Sequence, residues 1–249
     1  MASATRNDLV ETDTSRTDAV AAATVGVSAV LFVLALLALV EVVTLTEPIA
    51  GLPTVTLLGL LLVLLGGAVV TFGVGSRLGY VDTTPRMSAG LVAGLAAAVP
   101  WAAVTWGVVA HTLNFGNAAG FVAAGVAAAA AFAATSFPRE DVGSTVPIGL
   151  LPVVVGLVFL TSVIGPTWTW PLGWEQPVTF NAELVIPVAT LFCALYAGWA
   201  AAKVYGGFGA RGRRMGAYTL IYLNATSIVA FLFVLIAFTV VQGLPGIFT

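Results

Sequence analysis

The chain reads as an all-α integral membrane protein of about seven transmembrane helices, N-terminus in the cytoplasm and C-terminus outside. Three observations lead there. Of its 249 residues 59% are apolar and only 8% charged; a soluble domain carries roughly a quarter of its residues as charges and could not cover its surface with so few. Seven stretches are long and apolar enough to cross a hydrocarbon core of about 30 Å as helix. All nine Lys and Arg residues fall on one side of those stretches, the cytoplasmic side by the positive-inside rule.

Residues 1–18 come first, with Asp8, Glu11, Asp13 and Asp18 among Ser and Thr. This composition stays solvated and predicts a polar, disordered tail. The polar lead is too long, and the apolar run after it too full, for a signal peptide, so the first span, Ala19–Val43, stays in the mature protein. Thr46-Glu47-Pro48 and Gly51-Leu52-Pro53 break the chain before the second span, Thr54–Val74. Its run Leu57–Leu65 shows none of the apolar/polar alternation of a barrel strand. Backbone groups in lipid must pair internally, so such runs are helices.

Asp82-Thr83-Thr84-Pro85 leads to the third span, Ser88–Ala110, and His111-Thr112-Leu113-Asn114 makes a tight hairpin into the fourth, Phe115–Phe137. Both are rich in alanine, as in Ala127–Ala131, and are marginal for insertion. Their small residues, Gly90–Gly94 and Gly116–Gly120, suit close packing against other helices. Charge does not separate seven spans from five, because removing this pair leaves Arg86 and Arg139 on the same side. Pro138-Arg139-Glu140-Asp141 precedes the fifth span, Val146–Ile164, and a Trp/Pro segment, Gly165–Asn181, precedes the sixth, Leu184–Tyr205. Gly206–Arg214 reads as a flexible, basic cytoplasmic linker, and Tyr218–Val241 is the last span. The organisation is thus a tail (1–18), a six-helix unit (19–205), a linker (206–214) and a single further helix (215–249).

The basic residues set the orientation. Arg6 and Arg16 precede the first span, Arg77 and Arg86 lie in the second connection, Arg139 in the fourth, and Lys203, Arg211, Arg213 and Arg214 around the sixth. None is outside. The eleven acidic residues split seven inside and four outside, which is unremarkable because Lys and Arg, not net charge, direct topology.

Little here points to catalysis. There is one His and one Cys, no Gly-rich phosphate loop ending in Lys-Ser/Thr, and no His-Glu-x-x-His, so no enzyme activity, metal or cofactor is expected. A retinal protein would need a lysine in the body of its last helix. The net charge of −2 is too small to steer a nucleic acid. Glu41, His111 and Glu183 sit at outer span ends as interfacial residues in reach of water, or as ligand or gate groups; Lys203, at the inner end of the sixth span, can snorkel. The mid-span polar residues Thr105, Thr161, Ser162, Asn224, Thr226 and Ser227 can bond a neighbouring helix or their own backbone. Pro100, Pro152 and Pro187 should kink or open their helices, as in the broken helices of transporters, although proline is also common in ordinary membrane helices.

Two surface features are candidate contacts. Trp168, Trp170 and Trp174 read as an outer aromatic belt, or alternatively as a docking surface for an external partner. Arg211, Arg213 and Arg214 read as topology determinants, or alternatively as a contact for anionic lipid headgroups or a cytoplasmic subunit.

The stretch Arg213-Arg214-Met215, then Tyr218–Val241, then Gln242-Gly243-Leu244-Pro245-Gly246 resembles the start of the phosphate ABC-transporter permeases, in which a basic lead enters a first helix ending outside in Gly-Leu-Pro. The polar opening Leu9–Ser15 and the apolar extension are similar to the elongated N-terminal regions of haloarchaeal members, and one lysine against eight arginines fits a halophile. The resemblance covers residues 213–249. It implies a multi-pass component of a phosphate importer in the cell membrane, working among membrane lipids with another permease subunit, a cytoplasmic ATPase and an external phosphate-binding protein. The family's Glu-Ala-Ala coupling segment and its later helices do not occur here, so no substrate or coupling residue carries over. The chain then corresponds to an N-terminal permease portion not competent for transport alone. Two other functions fit the residues: a non-transporting scaffold or sensor binding another membrane protein, and a small standalone secondary transporter.

Overall fold

The computed structural model describes residues 16–81, 83–172 and 178–247. Seven of its helices are long and apolar enough to cross a membrane, and the protein is an all-α multi-pass membrane protein. In chain order the helices are α1 (Arg16–Leu39), α2 (Thr54–Leu78), α3 (Leu91–Trp106), α4 (Asn117–Ser136), the single turn α5 (Glu140–Gly143), α6 (Val146–Leu160), α7 (Ala182–Tyr205) and α8 (Gly209–Ile247), with α5 and α6 together making the fifth membrane-length stretch. A π-helical segment, Gly107–Thr112, prolongs α3, so His111 and Thr112 belong to the helix and not to the connection. The third and fourth spans both exist. Hydropathy predicted all seven spans to within a few residues at most ends, because each must be apolar along its whole length.

Three boundaries differ from expectation. Arg16, Thr17 and Asp18 are the first turn of α1, not tail; residues 1–15 lie outside the described residues. The breaks around the first and fifth connections are small antiparallel hairpins: β1 (Pro48–Ile49) with β2 (Leu52–Pro53), and β3 (Thr169–Leu172) with β4 (Val178–Asn181). In the second, Trp170 lies opposite Phe180. Finally, α8 starts at Gly209, so Arg211, Arg213 and Arg214 ride on its first turns and not on a linker.

The core is built around α6 and α7. Of the membrane-length stretches, 61% of that containing α6 and 50% of α7 are buried, against 11% for α3, 22% for α4 and 6% for α8. Glycine lets α2 and α6 touch backbone to backbone: a Cβ on Gly149 would stand 2.7 Å from the Gly66 carbonyl oxygen, and one on Gly156 2.5 Å from that of Gly59. Lipid tails are as apolar as leucine, so close van der Waals approach is what holds such helices together. Around this seam Leu58, Leu62, Leu65, Ile148 and Leu151 are buried. On the other side of α7, the Ser28 hydroxyl of α1 donates to the Ala194 carbonyl at 2.7 Å, while a Cβ on Gly198 would meet the Ser28 side chain. The hairpin of α3 and α4 closes mainly on itself, Gly94 against Phe132 and Gly120 against Trp106.

Candidate functional site

The connections that carry the basic residues gather at one end of the bundle, and there they build a buried polar cluster. Pro138 follows α4, Arg139 occupies the N-cap position of α5 in extended conformation, and Glu140 and Asp141 form its first turn. Both carboxylates are buried, Glu140 at 1% and Asp141 at 0% exposure. Glu140 Oε1 is 2.8 Å from the Lys203 ammonium. Its Oε2 accepts the backbone N–H groups of Arg86 (3.0 Å) and Gly209 (3.1 Å), and its own N–H donates to the Arg86 carbonyl at 3.0 Å. Asp141 pairs with the Arg139 guanidinium and accepts the Ser76 hydroxyl at 3.1 Å. The Ser76 and Thr83 hydroxyls are 2.6 Å apart, and the Thr84 N–H donates to the Gly207 carbonyl at 2.9 Å. The hydrogen bond to Asp141 raises the pKa of Arg139 above the usual guanidinium value. One acidic turn therefore ties together three connections that are far apart in sequence.

Two expectations are corrected here. Lys203 does not snorkel to water; it is 1% exposed, paired with Glu140, and its ammonium lies 4.9 Å from the centre of the Trp199 ring. A buried ammonium needs such a partner, because its solvation is otherwise lost. The segment Gly206–Gly209 is not a loose linker either. Gly207, Phe208 and Gly209 all have positive φ (69°, 60° and 58°), with the Phe208 ring buried and its N–H donating to the Lys203 carbonyl at 2.9 Å. Glycine is used there for a tight, packed turn. Arg211, Arg213 and Arg214 are exposed just beyond it, where either an anionic headgroup or a subunit can reach them.

At the opposite end the aromatic residues turn inward. Trp168 and Trp170 are half-buried, not an exposed belt, and Trp174 lies outside the described residues. The Trp170 ring centre stands 4.3 Å from His111, 4.8 Å from Trp106 and 5.8 Å from Phe180. His111 is correspondingly not simply interfacial: its Nε2 is buried, as are the Trp106 Nε1, Trp170 Nε1 and Thr112 Oγ1 atoms, and none of the four has a hydrogen-bond partner among the described residues. Glu41 and Glu183 are exposed, as interfacial residues would be.

Beside this cluster lies a half-open apolar cleft of about 430 Å³ between α3, α6 and α7, with Trp168, Trp170 and Phe180 at its outer end. These three helices are the ones that carry Pro100, Pro152 and Pro187, and Pro100 itself lines the cleft. Pro152 and Pro187 do not line the space, whose walls are apolar. Within α8, Asn224, Thr226 and Ser227 each donate to the carbonyl four residues earlier; Thr161 does the same but caps the end of α6 and is not mid-span. The acidic cluster was missed in the sequence; its one visible signal is a pair of acids placed directly at the start of an apolar run, where a helix N-terminus favours negative charge. Among the described residues no group of three or more His, Cys, Asp or Glu is placed to hold a metal. Comparison with protein-family models, with curated proteins and with solved structures finds no match.

Proposed function

We propose that the chain is a non-catalytic, membrane-embedded part of an ABC-type phosphate import system in the cell membrane, holding α8 for a permease-type partner and not transporting by itself. The observation that carries this reading is α8. It runs for 39 residues, yet only 6% of its membrane-length stretch is buried against the rest of the chain. Its exposed side chains include Ile221, Tyr222, Ile228, Val229, Phe231 and Phe233, and Asn224 sits exposed among them. A polar side chain on an open face of a membrane helix suits contact with a second helix.

The likeness of residues 213–249 to the start of phosphate permeases adds the substrate class. Arg211, Arg213 and Arg214 stand exposed on the basic face, where a cytoplasmic ATPase would approach; an external phosphate-binding protein would meet the other. Among the described residues the bundle offers no free cation at membrane depth for an anion path, Lys203 being committed to Glu140. The path is assigned to the partner.

Deleting the gene and measuring phosphate uptake in phosphate-starved cells tests the reading. Uptake should fall, and affinity-tagged chain should bring down a permease subunit and an ATPase in mild detergent. Unchanged uptake overturns it. Recovery of a membrane partner with no role in nutrient import would favour the scaffold function instead, and solute flux by the purified chain alone would favour a standalone transporter.

A further inference from the structure

The two halves of α3 are held to the body in different ways, and the change falls at Pro100. On the cytoplasmic side of Pro100, Ala93, Gly94 and Ala97 are buried, and Ala97 belongs to the main core. Arg86, just before α3, is fastened to Glu140 by two backbone hydrogen bonds. Immediately after Pro100, the Trp101 indole N–H donates to the Pro147 carbonyl at 2.9 Å, which pins α3 to the start of α6. Beyond this pin Val104 is the last α3 side chain packed against the core. Farther out Ala110 is buried, but a Cβ on Gly120 would stand 2.5 Å from its methyl group, so it packs on α4. The outer arm instead borders the cleft through Val104, Gly107 and Val108. Pro100 cannot donate the N–H that would bind the Ala96 carbonyl, and helices bend most readily at such a residue.

At its outer end the arm meets the β3–β4 hairpin, which is fastened to α7 by the Ala182 N–H donating to the Trp168 carbonyl at 2.9 Å. Trp170 of that hairpin lies in ring contact with His111 and Trp106. Neither indole N–H nor the His111 Nε2 has a hydrogen-bond partner among the described residues, so this junction is stacking without a polar tie. α4 follows α3, because the turn between them holds Asn114 and Gly116 in left-handed conformation and Gly120 is packed on Trp106. We propose that the outer half of the α3–α4 hairpin is a hinged flap beside the cleft: it bends at Pro100, pivots on the Trp101–Pro147 bond, and is latched by Trp170 against Trp106 and His111. A bend of about 20° over the roughly 17 Å from Pro100 to Thr112 carries the outer tip about 6 Å. Such a swing widens a cleft that is already half-open.

Spin-label distances measured by pulsed electron resonance on the full chain in nanodiscs test this, since the native Cys193 is buried. One pair, Leu113→Cys with Glu183→Cys, joins exposed positions across the latch; a second, Met87→Cys with Tyr205→Cys, joins exposed positions at the pinned base. Trp170→Ala removes both ring contacts of the latch. It should raise the open population about fivefold to a hundredfold, the worth of two aromatic contacts, with the outer pair shifted by about 6 Å and the base pair unmoved. His111→Ala, which leaves the β3–β4 hairpin intact, should shift the same pair in the same direction to a smaller extent. Pro100→Ala added to Trp170→Ala lets the helix run straight and should shrink the open population again. The flap is overturned if the outer pair keeps its wild-type distances in both latch variants, if the base pair moves as far as the outer pair in both, or if Pro100→Ala leaves the open population unchanged. None of these distances involves α8 or phosphate uptake, so the flap and the proposed function fail separately.

Discussion

Glu140 shows how a carboxylate survives out of water. It is buried, yet an ammonium and two backbone N–H groups converge on its oxygens. Such a pair contributes little net stability against an apolar replacement, but breaking it from one side strands a charge, at a cost of about 3–5 kcal/mol. Lys203→Met should therefore destabilise the purified protein by about that much in denaturant titration, and adding Glu140→Gln, which keeps a carbonyl for the Arg86 and Gly209 N–H groups, should recover more than half of the loss. A double variant no better than the single one would show that the pair is not coupled. Nothing local announces this pairing. Glu140 is 54 residues from Arg86 and 69 from Gly209, and an acid beside an arginine in a cytoplasmic connection looks the same whether it faces water or a lysine. The inward turn of Trp170 is hidden for the same reason: a tryptophan near a span end is equally at home in an interface.

Between helices, spans were legible and contacts were not. Pro53 and Pro138 and the left-handed Gly79 end or begin elements where proline and glycine chemistry says they should. The hairpins β1–β2 and β3–β4 hold only a few residues each, and the π-helical segment leaves no trace in hydropathy. The glycines of α2 are also ambiguous in sequence, since Gly66 and Gly67 are adjacent and only one faces α6. A side chain at Gly149 meets the α2 backbone, whereas at Gly67 there is nothing within 4 Å. Gly149→Leu should cost about 1–3 kcal/mol, as overpacked interiors do, and Gly67→Leu should change stability by less than about 0.5 kcal/mol. Equal effects in thermal unfolding of the detergent-purified variants would contradict the seam.

Across the whole chain the orientation rests on the distribution of Arg and Lys, and the fold gathers Arg77, Arg86, Arg139, Lys203 and the three α8 arginines at a single end. The only native thiol, Cys193, is 2% exposed, so introduced cysteines can be read against a silent background. In intact cells Glu47→Cys, at the β1–β2 hairpin, should react with a membrane-impermeant maleimide, and Arg211→Cys should react only after permeabilisation. The reverse pattern would invert the molecule. The span count needed the coordinates: charge is blind to an inserted pair of helices, and the alanine-rich α3 and α4 are recognisable as a unit only from how they close on each other.

The turn into α8 has a mechanical consequence. The Gly209 N–H and the Lys203 ammonium hang on one carboxylate, and the Phe208 ring is wedged into the body beside them. Tilting the last helix therefore pulls on the hinge pin that also fastens Arg86 and, through Asp141, Ser76. A partner levering the far tip of α8 would strain the base of α2 and the loops at the opposite membrane surface, so force applied on one side of the bilayer is delivered to the other through the contacts gathered around Glu140 and Phe208.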